Sequence, residues 1–266
     1  MTQRGSMTVD GIELGRFRFW GQSIDERDAV FARLRAEQPV AYHSRLDSLP
    51  GTPPGRGFWS VTKWADVRAV NRNPRVFSPV DGIRMDDSLD PETNEFFSSI
   101  IVMEDPRHAK SCISWGAKLL TDHPDQREEL RNDYDALSLR AVDEIVRWSS
   151  PVIHMRRVAT EDTVLGGQQI LAGEKVVMWY WSANRDEEVF PDGASLDIHR
   201  ADVKDQAGYG SGGPHFCLGA NLARREIQVM FDEILRGLPN LEVTGEPDRL
   251  MSSFLNGIKR LPCSVA

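Results

Sequence analysis

A single cysteine lies inside a glycine-rich stretch, GYGSGGPHFCLGANLARRE, which spans residues 208–226. Four glycines precede Cys217 and Gly219 follows it, and glycine lets a backbone adopt unusual dihedrals and approach a flat ligand closely. A helical pattern begins directly afterwards. Because a helix N-terminus presents unpaired N–H groups and the positive end of the dipole, it favours a thiolate over a thiol. The stretch is therefore suited to hold an anionic sulfur beside a bare backbone surface.

A thiolate in this setting could ligate the iron of a heme, where thiolate ligation favours O–O bond cleavage. The alternative is a glycine loop that ends in a buried structural cysteine, which is the more frequent role of a lone cysteine. Cys112 and Cys263 are far from Cys217 in sequence and form no CxxC pair with it, so a disulfide framework or a zinc site is not favoured. This cysteine usage predicts a reduced, cytoplasmic setting.

Composition argues against several other classes of function. The 266 residues carry 32 Lys and Arg against 40 Asp and Glu, and the resulting net charge of −8 disfavours nucleic acid as a partner. The longest apolar run, VVMWYW, is too short to cross a bilayer. The first residues contain no apolar segment typical of a signal peptide. We therefore expect no nucleic-acid partner and no transmembrane segment.

The stretch around the cysteine closely resembles the heme-ligand signature of the cytochrome P-450 family, the heme-thiolate monooxygenases. The family's glycine, basic residue, cysteine and second glycine match Gly213, His215, Cys217 and Gly219, and Tyr209 stands where the family usually has Phe. By this resemblance Cys217 is the proximal ligand of the iron in heme b, and His215 hydrogen-bonds a heme propionate. The resemblance also places Tyr209 and Gly219 in the heme-binding loop.

A Glu-x-x-Arg pair on a helix ahead of the ligand loop is a second element of the family. The pattern occurs six times in this chain, but only Glu144 and Arg147 lie on an amphipathic helix that is followed by Ser-Pro and precedes the loop. Residues three apart share a helix face, so the two side chains can pair and also reach a loop packed on that face. In the family this pair binds an arginine of an irregular segment, and Arg200 is the matching candidate.

Two further stretches resemble parts of the family that contact heme propionates. The first, MRRVATEDTVLGG, resembles the strand whose arginine binds a propionate, and Arg157 fits that place. Arg156 is the alternative, because side chains alternate along a strand and only one of the two can face the heme. The second, IVMEDPRHAK, resembles the start of the helix that crosses the heme, and its propionate-binding histidine is His108.

The resemblance has one internal gap, near residue 110. There the sequence passes directly into SCISWGAKLLTDHPDQREEL, which resembles the C-terminal part of the family's central helix and the helix after it. The missing stretch would hold most of the distal half of the molecule, including the acidic residue and Thr that deliver protons to dioxygen. Catalytic residues are therefore left unassigned. Deleting core helices also exposes their packing partners, which predicts instability or aggregation.

The sequence predicts a mainly α-helical chain with small β-sheets (α+β), in the fold of this family but without much of its distal helical region. We expect one domain over residues 1–266, with an N-terminal sheet and helix part over 1–110 and a heme-binding part over 111–266. Apolar spacing predicts helices over residues 111–120, 125–131, 136–148 and 220–238.

The inward stripes expected on the last two of these helices include Leu139 on the first of them, and Met230 and Leu238 on the second. The expected stripe on the first helix also contains Val142, Ile145 and Val146, and that on the second also contains Ala223, Ile227 and Ile234.

Three functions fit these observations. The first is a monooxygenase that hydroxylates a hydrophobic substrate (a lipid, a branched fatty acid or a sterol-like molecule), with O₂ and with electrons from a ferredoxin-type donor and its reductase. The second is a catalytically inactive remnant, and the third is a heme-binding module without turnover. Arg224 and Arg225 follow the ligand loop and could bind an acidic donor, or they could be two ordinary exposed arginines.

Overall fold

Helices form most of the regular structure after residue 105, whereas three strands and three helices share the described earlier part of the chain. The computed structural model describes residues 9, 11–44, 46–47, 55–85 and 105–265, and only the backbone of 105–110. The described helices are α1 (Phe17–Trp20), α2 (Ile24–Glu37), α3 (Trp64–Arg72), α4 (Asp105–Asp122), α5 (Pro124–Asn132), α6 (Tyr134–Ser149), α7 (Tyr180–Ala183) and α8 (Ala220–Gly237). Within these ranges, no helix is both long enough and apolar enough to cross a membrane.

The strands form one five-stranded sheet and three two-stranded ones. They are β1 (Val40–His43), β2 (Phe58–Val61), β3 (Phe77–Ser78), β4 (His154–Ala159), β5 (Thr163–Leu165), β6 (Gln168–Ile170), β7 (Lys175–Trp179), β8 (Glu242–Val243), β9 (Asp248–Arg249), β10 (Ile258–Arg260) and β11 (Cys263–Ser264). The main sheet has the order β1-β2-β7-β4-β3, and only β2 and β7 pair in parallel. The small sheets pair β5 with β6, β8 with β11 and β9 with β10. The prediction of a mainly helical chain with small sheets is confirmed.

Helix α4 is continuous, although its two halves resemble parts of two separate helices of the family. No proline or glycine interrupts residues 107–115, so nothing in the local sequence breaks the helix there. Helix α4 packs against α6 and α8. At Gly116 the approach is so close that an added Cβ would lie 2.4 Å from the end of the Phe231 ring and 3.1 Å from Ile145. The two halves thus form one helix, which packs closely against α6 and α8.

The predictions of the buried faces of α6 and α8 are wrong in part, because some residues expected to face the core are exposed. Leu139 on α6 is 55% exposed, and Met230 and Leu238 on α8 are 42% and 43% exposed. The buried face of α8 consists of Ala220, Ile227, Phe231 and Leu235. Since α8 carries two adjacent apolar stripes, its sequence alone does not decide which of them meets the core. Leu222 and Val229 are exposed on α8 together with Met230.

Candidate functional site

The loop over residues 208–219 turns directly into α8, with Gly219 at the N-cap position. The Cys217 backbone N–H donates to the Tyr209 carbonyl oxygen at 2.9 Å, and the Cys217 carbonyl oxygen accepts from the Ala220 N–H at 3.3 Å. These two bonds close a tight turn around the cysteine, and Cys217 lines a cavity beside it. The cysteine therefore lies at a helix N-terminus, in the position that the sequence predicted.

Glycine is required at two places in this loop for different reasons. Gly213 has a φ of +92°, and an added Cβ would lie 2.4 Å from the Asn71 carbonyl oxygen. Gly208 has no positive φ, but a Cβ there would lie 2.8 Å from Val146. Gly219 has a φ of −81°, which is open to any residue, so the unusual dihedral expected there is absent.

The cavity beside the loop has a volume of about 340 Å³ and is lined mainly by apolar side chains. Five residues singled out from the sequence line it together: Tyr209, His215, Cys217 and Gly219 from the loop, and Arg157 from β4. They come from positions up to 62 residues apart in the chain, and the fold brings them to one surface. Their individual roles toward a ligand stay predictions.

The arginine pair on β4 divides as strand alternation requires. Arg157 lines the cavity, whereas the Arg156 Nε donates to the Gly82 carbonyl oxygen at 3.2 Å. Both side chains are buried. The remaining candidate, His108, belongs to residues 105–110, whose side chains lie outside the described part of the chain.

Arg157 is a buried cation without an anion among the described residues. Its guanidinium donates to the Arg156 carbonyl oxygen at 2.8 Å and to Asn71 Oδ1 at 3.4 Å, and both acceptors are neutral. Burial lowers the pKa of Arg157, although Tyr180 opposes this effect. Because a buried charge is costly unless it is paired, this environment fits a ligand that brings its own carboxylate into the cavity.

Further buried polar atoms near the cavity have unused bonding capacity. Asn71 Oδ1 accepts from Arg157 and from the Tyr180 hydroxyl at 3.2 Å, while Asn71 Nδ2 has no partner among the described residues. The Tyr209 hydroxyl is also buried and without a hydrogen-bond partner there. Burial, followed by the nearby Arg157, lowers the pKa of His215, which keeps the imidazole mainly neutral at neutral pH.

Three residues at or near the cavity were missed from the sequence: Asn71, Tyr180 and Cys112. No motif marks them, and Asn71 reaches Arg157 across 86 positions of sequence. Cys112 of α4 lines the cavity, and burial raises its pKa to about 11, so its side chain is a neutral thiol. Its sulfur lies 3.5 Å from the Ser149 hydroxyl oxygen.

Glu144, Arg147 and Arg200 form a buried ion-pair cluster behind the loop. Arg147 binds Glu144 through two hydrogen bonds, from Nε to Oε2 at 2.7 Å and from Nη2 to Oε1 at 2.8 Å. Arg200 Nε donates to Glu144 Oε1 at 3.1 Å. The remaining guanidinium donors of Arg147 bind carbonyl oxygens of Asn184, Gly193 and Ser195. The cluster therefore fastens the irregular segment over residues 184–206 to α6.

Arg224 does not project to solvent as a docking residue would. Its Nε donates to Asp143 Oδ1 at 2.7 Å, and its guanidinium lies 4.6 Å from the centre of the Tyr209 ring. Arg225, the next residue, is exposed. Sequence reasoning treated the two arginines alike and overlooked Asp143, because only the packing of α6 against α8 brings this carboxylate to Arg224.

These features define a class of site: a cysteine at a helix N-terminus, an apolar cavity, and a buried arginine without an anion in the part of the chain that the structure describes. A flat apolar ligand with carboxylates and a metal that accepts sulfur matches all three. Heme has these properties, and the residues present fit it.

Comparison with known proteins identifies the family. The family model of cytochrome P450 matches residues 111–260. The chain belongs to the cytochrome P450 family, whose members are monooxygenases that carry heme with a cysteine thiolate as the axial ligand of the iron.

Individual relatives agree with this assignment. The chain is 30% identical to a methyl-branched lipid omega-hydroxylase of Mycobacterium tuberculosis, with 96% of this chain and 94% of that protein covered. It is 43% identical to a steroid C26-monooxygenase of Rhodococcus jostii over 69% of this chain and 37% of that protein. The solved cytochrome P450 of Mycobacterium marinum in complex with pseudoionone matches with a TM-score of 0.86 and 26% identity, over 97% of this chain and 99% of that one.

The alignment with the lipid omega-hydroxylase also bears on the gap. It extends over 407 residues, whereas this chain has 266. Such an alignment must leave a long stretch of the relative without a counterpart here. The chain thus matches the relative from one end to nearly the other and lacks an internal part of it.

Proposed function

We propose that this chain is a heme-thiolate monooxygenase in which Cys217 ligates the iron and which hydroxylates an apolar lipid. One observation carries the proposal: Cys217, His215 and Arg157 line the same mainly apolar cavity. Heme, when bound, supplies the activation of dioxygen and the insertion of one oxygen atom into a C–H bond.

The chain's own residues have distinct roles in this proposal. The helix N-terminus behind Cys217 favours the thiolate. Arg157 gains the carboxylate partner that it lacks, and His215, beside it on the cavity, donates a hydrogen bond to a propionate. Apolar side chains such as Val152 and Met155 exclude water from the cavity.

The proposed substrate is a long apolar molecule of the lipid or sterol type. Two relatives whose names specify hydroxylation of a methyl-branched lipid or of a steroid support this choice. The cavity lining supports it as well, because Ile83, Val152 and Met155 offer contacts without hydrogen bonds. Such a lining binds apolar chains because they bury apolar surface area on binding, and it offers no hydrogen bonds that would favour polar groups.

Electrons come, in this proposal, from a ferredoxin-type donor and its reductase in the cytoplasm. The exposed Arg225 on α8 provides the positive charge that binds the donor, because Arg224 is already paired with Asp143. Opposite charges steer association and make its rate depend on salt. We expect reduction by an acidic ferredoxin to slow with added salt and in Arg225→Glu, as measured by stopped-flow absorbance. Rates that depend on neither would contradict this docking.

A second candidate function, heme binding without turnover, is favoured by the missing internal stretch. The alignment with the lipid omega-hydroxylase is longer than this chain, and the sequence has no acidic residue followed by Thr in the family's pattern. Without that pair no group is assigned to deliver protons to dioxygen. Turnover should therefore be far slower than in a relative that retains the stretch.

The difference spectrum of the reduced, CO-bound protein tests the proposal and separates the candidates. A band at the position typical of thiolate ligation, together with hydroxylated product from a methyl-branched fatty acid, supports the monooxygenase. The same band without product supports heme binding alone. The absence of any heme band contradicts both functions and leaves the inactive remnant.

A further inference from the structure

The Tyr209 backbone is directly coupled to the cysteine. Its carbonyl oxygen accepts the Cys217 N–H at 2.9 Å, and both residues line the cavity. A shift of Tyr209 therefore shifts the backbone that carries the sulfur. Whatever holds the Tyr209 ring also helps to position Cys217.

The ring is held by a cation rather than by its hydroxyl. The Tyr209 hydroxyl has no hydrogen-bond partner among the described residues, although the side chain is 93% buried. The Arg224 guanidinium lies 4.6 Å from the ring centre, within the range of a cation–π contact. Asp143 in turn fixes Arg224 through the 2.7 Å ion pair, and their side chains are only 13% and 23% exposed.

The same ion pair places two opposite charges near the sulfur. Arg224 lies in the second turn of α8, seven residues after Cys217. At a helical rise of 1.5 Å per residue, the Arg224 backbone lies roughly 6 Å along the axis from the start of α8, which directly follows the turn around Cys217. Charges that are mostly shielded from solvent are weakly screened at that distance. The positive charge of Arg224 and the negative charge of Asp143 should therefore shift the electron affinity of an iron bound at Cys217 in opposite directions.

We infer that Asp143, Arg224 and Tyr209 form a positioning unit that holds the Cys217 backbone and sets the electrostatic environment of its sulfur. The inference rests on the proposed function, since it concerns the electron affinity of heme iron bound at Cys217. Asp143 and Arg224 are not among the residues that line the cavity, whereas Tyr209 is. Arg224 and Asp143 act through Tyr209 and through their charges.

Redox titration of the heme-loaded full chain tests the electrostatic part. At the ambient potential where the wild type is half reduced, Arg224→Gln should lower the ratio of reduced to oxidised heme roughly fivefold to tenfold, because a cation favours the reduced state. Asp143→Asn should raise that ratio by a similar factor. Arg224→Lys keeps the charge and should restore most of the wild-type ratio.

One control variant isolates the effect. Arg236→Gln breaks another ion pair, with Asp232 at 2.6 Å, near the far end of α8, where the arginine is 69% exposed. It should leave the ratio unchanged.

Hydrogen exchange of the Cys217 amide tests the positioning part without heme. In the heme-free chain, Arg224→Gln should speed exchange at this amide at least severalfold, and Arg236→Gln should not change it. Shifts of the redox ratio in the same direction for Arg224→Gln and Asp143→Asn, or no shift in either, would overturn the inference. A wild-type chain that takes up no heme contradicts the proposed function itself, which is a separate outcome.

Discussion

The structure contains two groups of buried charged side chains, one around Glu144 and Arg147 and one at the cavity around Arg157. They differ in how many of their hydrogen-bond donors and acceptors have charged or backbone partners. Behind the loop, Glu144 and Arg147 are fully buried, and their ion pair is completed by Arg200 and by backbone carbonyls. At the cavity, among the residues that the structure describes, Arg157 donates to neutral acceptors only and Asn71 Nδ2 has no partner.

The difference separates residues that hold the fold from residues prepared for a ligand. A cluster whose donors and acceptors all have hydrogen-bond partners has no free group with which to bind a ligand. A buried cation without an anion costs stability in the protein alone and recovers that cost when a carboxylate arrives. Replacing members of the two groups should therefore have opposite consequences for folding and for ligand binding.

Arg147→Ala should have the largest effect on folding. It leaves Glu144 buried without its main partner, which costs about 3–5 kcal/mol. Arg131→Ala is the matched control, because Arg131 pairs with Glu128 at the same spacing but the two side chains are 41% and 52% exposed. We expect soluble protein and the free energy of unfolding in urea to fall sharply for Arg147→Ala only. Equal losses in both variants would remove the distinction.

Arg157→Gln should show the reverse pattern. The heme-free chain should be as stable as the wild type or slightly more so, because the variant no longer buries an unpaired charge. Heme affinity should fall about tenfold to a hundredfold, the size of a lost hydrogen bond to a charged group. Urea unfolding without heme and heme titration followed by absorbance give the two values. If Arg157→Gln strongly lowered the free energy of unfolding of the heme-free chain, Arg157 would be a structural residue like Glu144 and Arg147.

Gly116→Ala tests the packing of the continuous helix α4. The new methyl group meets the Phe231 ring at 2.4 Å, and we expect a net loss of about 1–2 kcal/mol after the gain in helix propensity. At Gly237 of α8, an added Cβ meets nothing within 4 Å, so Gly237→Ala should not destabilise. The free energy of unfolding in urea, measured for both variants, tests this expectation. A neutral Gly116→Ala would mean that α4 packs less closely than the structure shows.

The sequence singled out residues that the structure brings together, but it did not predict the packing around them. The glycines, Cys217 and the helix after it indicated a thiolate site by residue type and spacing, whereas Glu144 and Arg147 were selected by their resemblance to the family's motif. Asn71 and Asp143 were not found, because their roles arise from contacts between elements distant in the chain. The stripe of α8 was misassigned at Met230 because only tertiary packing selects between two adjacent apolar faces.

His43 provides a smaller test of what a buried titratable group costs, because its Nε2 has no hydrogen-bond partner among the described residues. Burial lowers its pKa to about 3, and its ring stacks on Phe58 at 4.9 Å. The unfolded chain binds a proton below its ordinary pKa of about 6.5, whereas the folded chain does not.

Stability should therefore fall by about 1 kcal/mol per pH unit as the pH decreases from about 6.5 toward 3. In His43→Phe, which keeps a ring against Phe58, this part of the pH dependence should disappear. Urea unfolding at pH 7 and pH 5 measures it in both proteins. An identical loss in the variant would assign the acid sensitivity to other groups.

The reduced, CO-bound difference spectrum of Cys217→Ser tests the central claim most directly. Cys263→Ser is the control, because Cys263 is exposed on β11. We predict that the wild type and Cys263→Ser give the band typical of thiolate-ligated heme and that Cys217→Ser loses it. A thiolate band that persists in Cys217→Ser would contradict the assignment of Cys217 as the iron ligand.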